Sequence, residues 1–100
     1  MAKTESDIIE YIKNYIDGYG GDYPSWYVGI AENPRERLIK GHRLDINNDL
    51  WIFSTAESAH AARRIERHFA DILKTDGGMG GVADTDCCVY VYKKNPHTDP

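Results

Sequence analysis

Apolar residues at three- and four-residue steps open the chain. Ile8, Ile9, Ile12, Tyr15 and Ile16 fall on one stripe, so residues 5–17 are predicted to form an amphipathic helix, opened by Thr4 or Ser6 and stopped by Gly18. Three glycines and Pro24 make residues 18–25 a loop. Residues 26–31, aromatic and β-branched around Gly29, have the pattern of a buried strand. Asn33-Pro34-Arg35-Glu36 then supplies an amide cap, a proline at the first helical position and a glutamate at the third. The helix that starts there is short, because Gly41 stops it after about two turns. Residues 44–49 are a polar loop and 50–54 a second strand carrying Trp51, Ile52 and Phe53. From 56 to about 74 the positions Ala62, Ile65, Phe69, Ile72 and Leu73 form one stripe, with Thr55 or Ser54 as cap. At about 100° per residue Glu66 falls beside that stripe, not opposite it. Gly77, Gly78, Gly80 and Gly81 read as a flexible loop, residues 88–93 as a third strand, and residues 95–100 as a frayed tail.

The order is helix, strand, helix, strand, helix, strand, yet only the third helix is long enough for a roomy crossover. The expected fold is therefore α/β (α+β): a small three-stranded mixed or antiparallel sheet flanked by helices, in one domain spanning residues 1–100. With 41% apolar residues, the 100-residue chain can fill one modest core. Its longest apolar runs fall far short of the ~20 residues a membrane span needs, and residues 1–7 are polar and acidic, unlike a secretory leader. A cytoplasmic location without membrane contact is expected. Cys87 and Cys88 are adjacent, so they close no useful loop, and partners at zinc-site spacing are missing.

A net charge of −4 argues against a protein that coats nucleic acid through its overall charge. The distribution changes that picture. Residues 34–43 carry Arg35, Arg37, Lys40 and Arg43 against Glu36, a local +3, and residues 63–68 carry Arg63, Arg64 and Arg67 against Glu66, a local +2. The two segments are predicted to form one positive face on an acidic body.

Tyr27-Val28-Gly29, followed by Asn33-Pro34 and Arg37-Leu38, resembles the second half of the GIY-YIG nuclease signature: a YIG strand, a tight turn and a short helix bearing an arginine. The spacing from Tyr27 to Arg37 is the family's usual one. Residues 50–54 look like its third strand, and Arg64-Ile65-Glu66-Arg67-His68-Phe69 looks like the helix that carries its metal-binding glutamate. The resemblance covers residues 26–73, about half the chain. Two departures stand out. No GIY strand precedes Tyr27, where Ile16-Asp17-Gly18-Tyr19 emerges from a helix. The C-terminal strand is expected to take the vacant place, next to the Tyr27 strand, with Tyr90 or Tyr92 supplying the absent tyrosine. The family's frequent histidine after the arginine helix is displaced by one, Gly41 standing at its place and His42 following.

The resemblance implies metal-assisted phosphodiester hydrolysis. Glu66 would bind one divalent ion, Mg²⁺ or Mn²⁺, with oxygen ligands. Arg37 would neutralise charge on the phosphate in the transition state. Tyr27 and Tyr90 would orient or deprotonate the attacking water. Arg35, Lys40, His42, Arg43 and Arg63 are the candidate contacts to DNA or RNA. Two other functions compete: a catalytically degenerate GIY-YIG-like module that binds nucleic acid or a protein partner without cutting, and an interaction domain contacting another chain through Tyr19, Tyr23 and Trp26. Plainer roles exist for each residue. Tyr27 can be a core aromatic with its hydroxyl at the surface, Arg37 a solvated helix residue, and Glu66 a rim carboxylate paired with Arg63 or Arg67. His60 and His68 read as helix-surface residues, and Asp84 and Asp86 lack the order of a calcium loop.

Overall fold

The first helix, α1 (Glu5–Gly18), is capped by Thr4, whose hydroxyl accepts the Asp7 backbone N–H at 3.2 Å. Its stripe buries Ile8, Ile12 and Ile16 completely. The structure, a computed structural model, describes residues 3–77 and 85–100. Gly78, Gly80, Gly81 and Asp84, expected in a loop, lie outside the described residues. No helix among the described residues is long and apolar enough to cross a membrane.

Strand β1 (Trp26–Ala31) leads to α2 (Pro34–Glu36), which opens at once into a wider π-type turn, Arg37–Gly41. The Asn33 side chain caps α2 by accepting the Glu36 N–H at 3.1 Å, as its position before proline predicts. Strand β2 (Trp51–Thr55) follows, then α3 (Ala59–Arg67), which loosens into a second π-type stretch, His68–Leu73. The cap of α3 is Ser58, accepting the Ala61 N–H at 3.1 Å, and not Ser54 or Thr55. The reason is that β2 runs through Thr55, and Ala56 still bridges to Lys3. The wide turn advances each residue by less than an α-helix does, so Ile72 leaves the expected stripe and is 65% exposed.

The class is α+β, with one mixed sheet in the order β2-β4-β1-β3. Among the described residues it has four strands rather than the three expected. Asp76–Gly77, of which Gly77 was expected in a loop, forms the two-residue β3, parallel to β1 with Asp76 opposite Tyr27 and Gly77 opposite Val28. Strand β4 (Cys88–Lys93) is central and antiparallel to both β1 and β2, so the Tyr27 and Trp51 strands share the sheet but flank β4.

Strand alternation divides the interior in two. Trp26, Val28, Val89 and Val91 face α1 and α3 and pack with Ile12, Ala62, Ile65 and Phe69. Tyr27, Ala31, Tyr90 and Tyr92 face the other way and pack with Leu38 and Leu44, under α2 and its π-type turn. The residues expected to fray are tied to this second side. The Asp99 N–H donates to the His42 carbonyl at 2.8 Å, Asn95 and His97 both bond Asp49, and Thr98 is buried.

Candidate active site around the sheet tyrosines

The register places Gly29 opposite Tyr90, and the glycine is what gives that ring its seat. A Cβ at Gly29 would lie 2.4 Å from the Tyr90 Oη and 2.5 Å from its Cζ, so no side chain fits there while Tyr90 lies across the strand. Tyr27 stacks beside it, 6.2 Å from Tyr90 at 17° and 5.3 Å from Tyr92 at 22°. His42 completes the cluster. Its Nε2 lies 2.7 Å from the Tyr90 Oη, and its Nδ1 lies 2.8 Å from the Asp99 carbonyl and 3.1 Å from the Tyr92 hydroxyl.

These contacts fix the tautomer. A carbonyl only accepts, so Nδ1 carries the hydrogen, and in a neutral ring Nε2 is left to accept the Tyr90 O–H. Burial lowers the His42 pKa, and the nearby Arg37 charge lowers it further against the raising influence of Asp99 and Asp76. The lowered pKa favours the neutral imidazole.

Arg37 stands at the start of the π-type turn, and its chain crosses Gly41, where a Cβ would come within 2.9 Å of Arg37 Cδ. Its guanidinium acts on both tyrosines. Burial raises the Tyr90 pKa strongly, the neighbouring Tyr27 adds to this, and Arg37 opposes it by charge and polar contact. Burial also raises Tyr27, with the charges of Glu66 and Asp76 adding and Arg37 opposing. Glu66, on α3, is only 6% exposed; burial raises its pKa, and Arg63 and Arg67 act against that rise. Its closest described cation is Arg63, with Nε 3.8 Å from the carboxylate, too far for a hydrogen bond.

Tyr27, Tyr90, Arg37 and Glu66 thus come from four elements, and Arg37 and Glu66 both act electrostatically on the two tyrosines. Tyr27 is 8% exposed and Tyr90 1%, so the tyrosines form the floor of the cluster, while Arg37 is exposed above them. Arg37 also lines an open groove of about 960 Å³ with Pro34, Lys40, Phe53, Asp86 and Cys88.

The expected nucleic-acid contacts fare unequally. Arg35, Lys40 and Arg43 are exposed, with Arg35 over the Trp51 ring and Lys40 3.7 Å from Glu36. His42 is not a surface contact: it is buried, because its ring bonds two tyrosines and a backbone carbonyl. Arg63, on α3, is half-buried, with its Nε 3.8 Å from the Glu66 carboxylate. Trp26, expected in an exposed aromatic surface, is fully buried as a strand residue facing α1.

Two residues that the sequence reading passed over also belong here. Asp76 acts on Tyr27, His42 and Tyr92 from β3 and lies 3.4 Å from the Lys94 Nζ. Asp99 contributes through its backbone. A two-residue strand and a terminal carbonyl have no periodicity or motif by which to be found.

Among the described residues no three His, Cys, Asp or Glu side chains cluster as a metal cage. The donor chemistry suits a magnesium-type ion in another way: such an ion needs only one or two carboxylates and fills its sphere with water and substrate phosphate. Glu66 is a buried hard-oxygen donor, with Arg63 and Arg67 acting on its charge. Compared with protein-family models, with curated proteins and with solved structures, the chain matches none.

Proposed function

We propose that this chain is a GIY-YIG-like domain that hydrolyses nucleic-acid phosphodiester bonds where Tyr27, Tyr90, Arg37 and Glu66 meet, and that it acts in the cytosol on DNA or RNA. The observation that carries the reading is the pairing of β4 with β1, which seats Tyr90 on the glycine of Tyr27-Val28-Gly29. The sequence left one tyrosine-bearing strand missing beside Tyr27, and β4 stands in that position. The π-type turn adds support. The His42 N–H reaches back five residues to the Arg37 carbonyl at 3.2 Å, so the turn absorbs the one-residue displacement of the histidine.

Glu66 is the residue to hold Mg²⁺ or Mn²⁺, which when bound supplies charge stabilisation to the phosphoryl oxygens. Arg37 reaches the phosphate from the open side, its guanidinium offering paired donors to charge that develops in the transition state. Tyr27, the more exposed of the two tyrosines on the floor, orients the attacking water. Tyr90 donates its O–H hydrogen bond to His42 Nε2, which leaves its oxygen lone pairs free to accept from neighbours.

One observation favours a second reading, in which the module binds nucleic acid or a protein partner without cutting. Tyr90 is closed off from solvent, and burial pushes both Tyr27 and Tyr90 above the ordinary tyrosine range, so neither is poised to ionise at neutral pH. Glu66→Gln separates the readings, since the amide keeps the shape and removes the charge. The nuclease reading expects wild-type protein to bind Mn²⁺ by calorimetry and to nick supercoiled plasmid or cut labelled RNA, with both activities lost in the folded variant. Equal metal binding and equal cleavage by E66Q would overturn it; nucleic-acid binding without cleavage by either protein selects the second reading.

A further inference from the structure

We infer that β2 carries a stacking platform for an unpaired nucleotide, so that the substrate class is single-stranded nucleic acid or the splayed end of a duplex. Trp51 and Phe53 are two residues apart on β2 and therefore share a face. Their rings are within 7° of parallel with centroids 6.2 Å apart. Trp51 is held in place: its Nε1–H donates to the Ile46 carbonyl at 3.0 Å, and the Arg35 guanidinium lies 5.9 Å from its ring centroid. Phe53 is 43% exposed on the wall of the groove. An aromatic ring in that position contributes little to the core, which the neighbouring Ser54 and Ile52 face from the other side.

The exposed ring identifies the occupant, with Arg37 and Lys40 lining the groove beside it. Glu32, Glu36 and Asp86 line the groove too, two cations against three carboxylates, and the chain as a whole is at −4. Phosphate attraction alone is therefore weak, and a ligand must add stacking to be held. A duplex keeps its base faces stacked internally and offers none to Phe53. An unpaired strand offers one base face per nucleotide, and base–aromatic stacking tolerates any sequence and either sugar. Arg37 lines the groove and also acts on Tyr90, so a strand seated on Phe53 brings a phosphate to the candidate active site. This inference rests on the nuclease reading and names its substrate class.

The test is fluorescence anisotropy on the full chain, without divalent metal, using fluorescein-labelled oligo-dT and oligo-U of about twelve nucleotides and a blunt duplex of equal length. Wild-type protein should bind both single strands at least about tenfold more tightly than the duplex. Phe53→Ala should weaken single-strand binding by about tenfold to a hundredfold with the salt slope unchanged, and Phe53→Tyr should restore it. Lys40→Ala should reduce the salt slope instead. Preference for the duplex, or an F53A variant that binds as wild type, would overturn the platform. Mn²⁺-dependent duplex cutting together with an inert F53A would leave the nuclease reading standing without it. Single-strand binding through Phe53 with no cleavage of any substrate would keep the platform and sink hydrolysis; no binding to any polynucleotide would sink both.

Discussion

Gly29→Ala tests the seating of Tyr90 most directly. The new Cβ would fall 2.4 Å from Oη and 2.5 Å from Cζ of a ring that is 1% exposed. A flexible side-chain tip could yield cheaply, but a phenol ring held by His42 and stacked on Tyr27 has to move as a unit. Overpacking of this kind costs about 1–3 kcal/mol, and the lost buried hydrogen bond to His42 adds about 1 kcal/mol. The sum is about 2–4 kcal/mol, to be read by urea unfolding monitored through the fluorescence of buried Trp26.

The sign of the effect should reverse once the ring is gone. In a Tyr90→Leu background the added methyl meets no phenol, and alanine in a strand interior is favoured over glycine by about 0.5–1 kcal/mol. A double-mutant cycle should therefore give a coupling of about 2.5–5 kcal/mol between positions 29 and 90. A G29A variant within about 0.5 kcal/mol of wild type, or equal costs in both backgrounds, would mean that Tyr90 does not lie across Gly29, and the grouping of the four site residues would fall with it.

Two further outcomes are expected. His42 is held neutral in the fold below its ordinary pKa of 6.5, so between that value and its lower folded value the unfolded chain binds more protons; stability should fall as pH drops through this window, and His42→Gln should flatten that limb of the stability–pH curve. Removing residues 95–100 strips the His42 carbonyl of the Asp99 N–H and Nδ1 of the Asp99 carbonyl, leaving two polar groups short of partners. The expected loss is about 2–4 kcal/mol in chemical denaturation, and a loss under about 0.5 kcal/mol would show the terminal segment to be a frayed tail after all.

Where periodicity or cap chemistry decides a structure, the sequence reading succeeds. The isoleucine stripe of α1 and the Asn33-Pro34 start of α2 rest on local rules, and both stand where those rules put them. Neither Ile72 nor the start of α3 follows from pattern alone. A π-type turn shifts the angular step, and a strand that ends one residue later moves the cap. Long-range pairing is harder still. The place of β4 beside β1 was reached by asking which segment could fill a vacancy, whereas β3 pairs through only two residues and leaves no trace in composition. His42 shows how exposure misleads. Its basic neighbours suggest a surface contact, yet only the fold reveals a carbonyl and two phenols around the ring.

The positions where local rules are broken are not scattered. A glycine stands in mid-strand at 29, a helix widens to a π-type turn at Arg37, a carboxylate is buried at Glu66, and a two-residue parallel strand brings Asp76 opposite Tyr27. Each has a cost for a fold judged on stability alone: glycine weakens a strand, a π-type turn gives up regular helix bonding, and a buried carboxylate 3.8 Å from its cation recovers little of its lost hydration. An apolar residue at 66 would pack against Ile65 and Phe69 without that penalty. Arg37, Glu66 and Asp76 all act electrostatically on Tyr27, and Gly29 seats Tyr90 beside it, which is the gathering of departures from local consistency expected of a functional site.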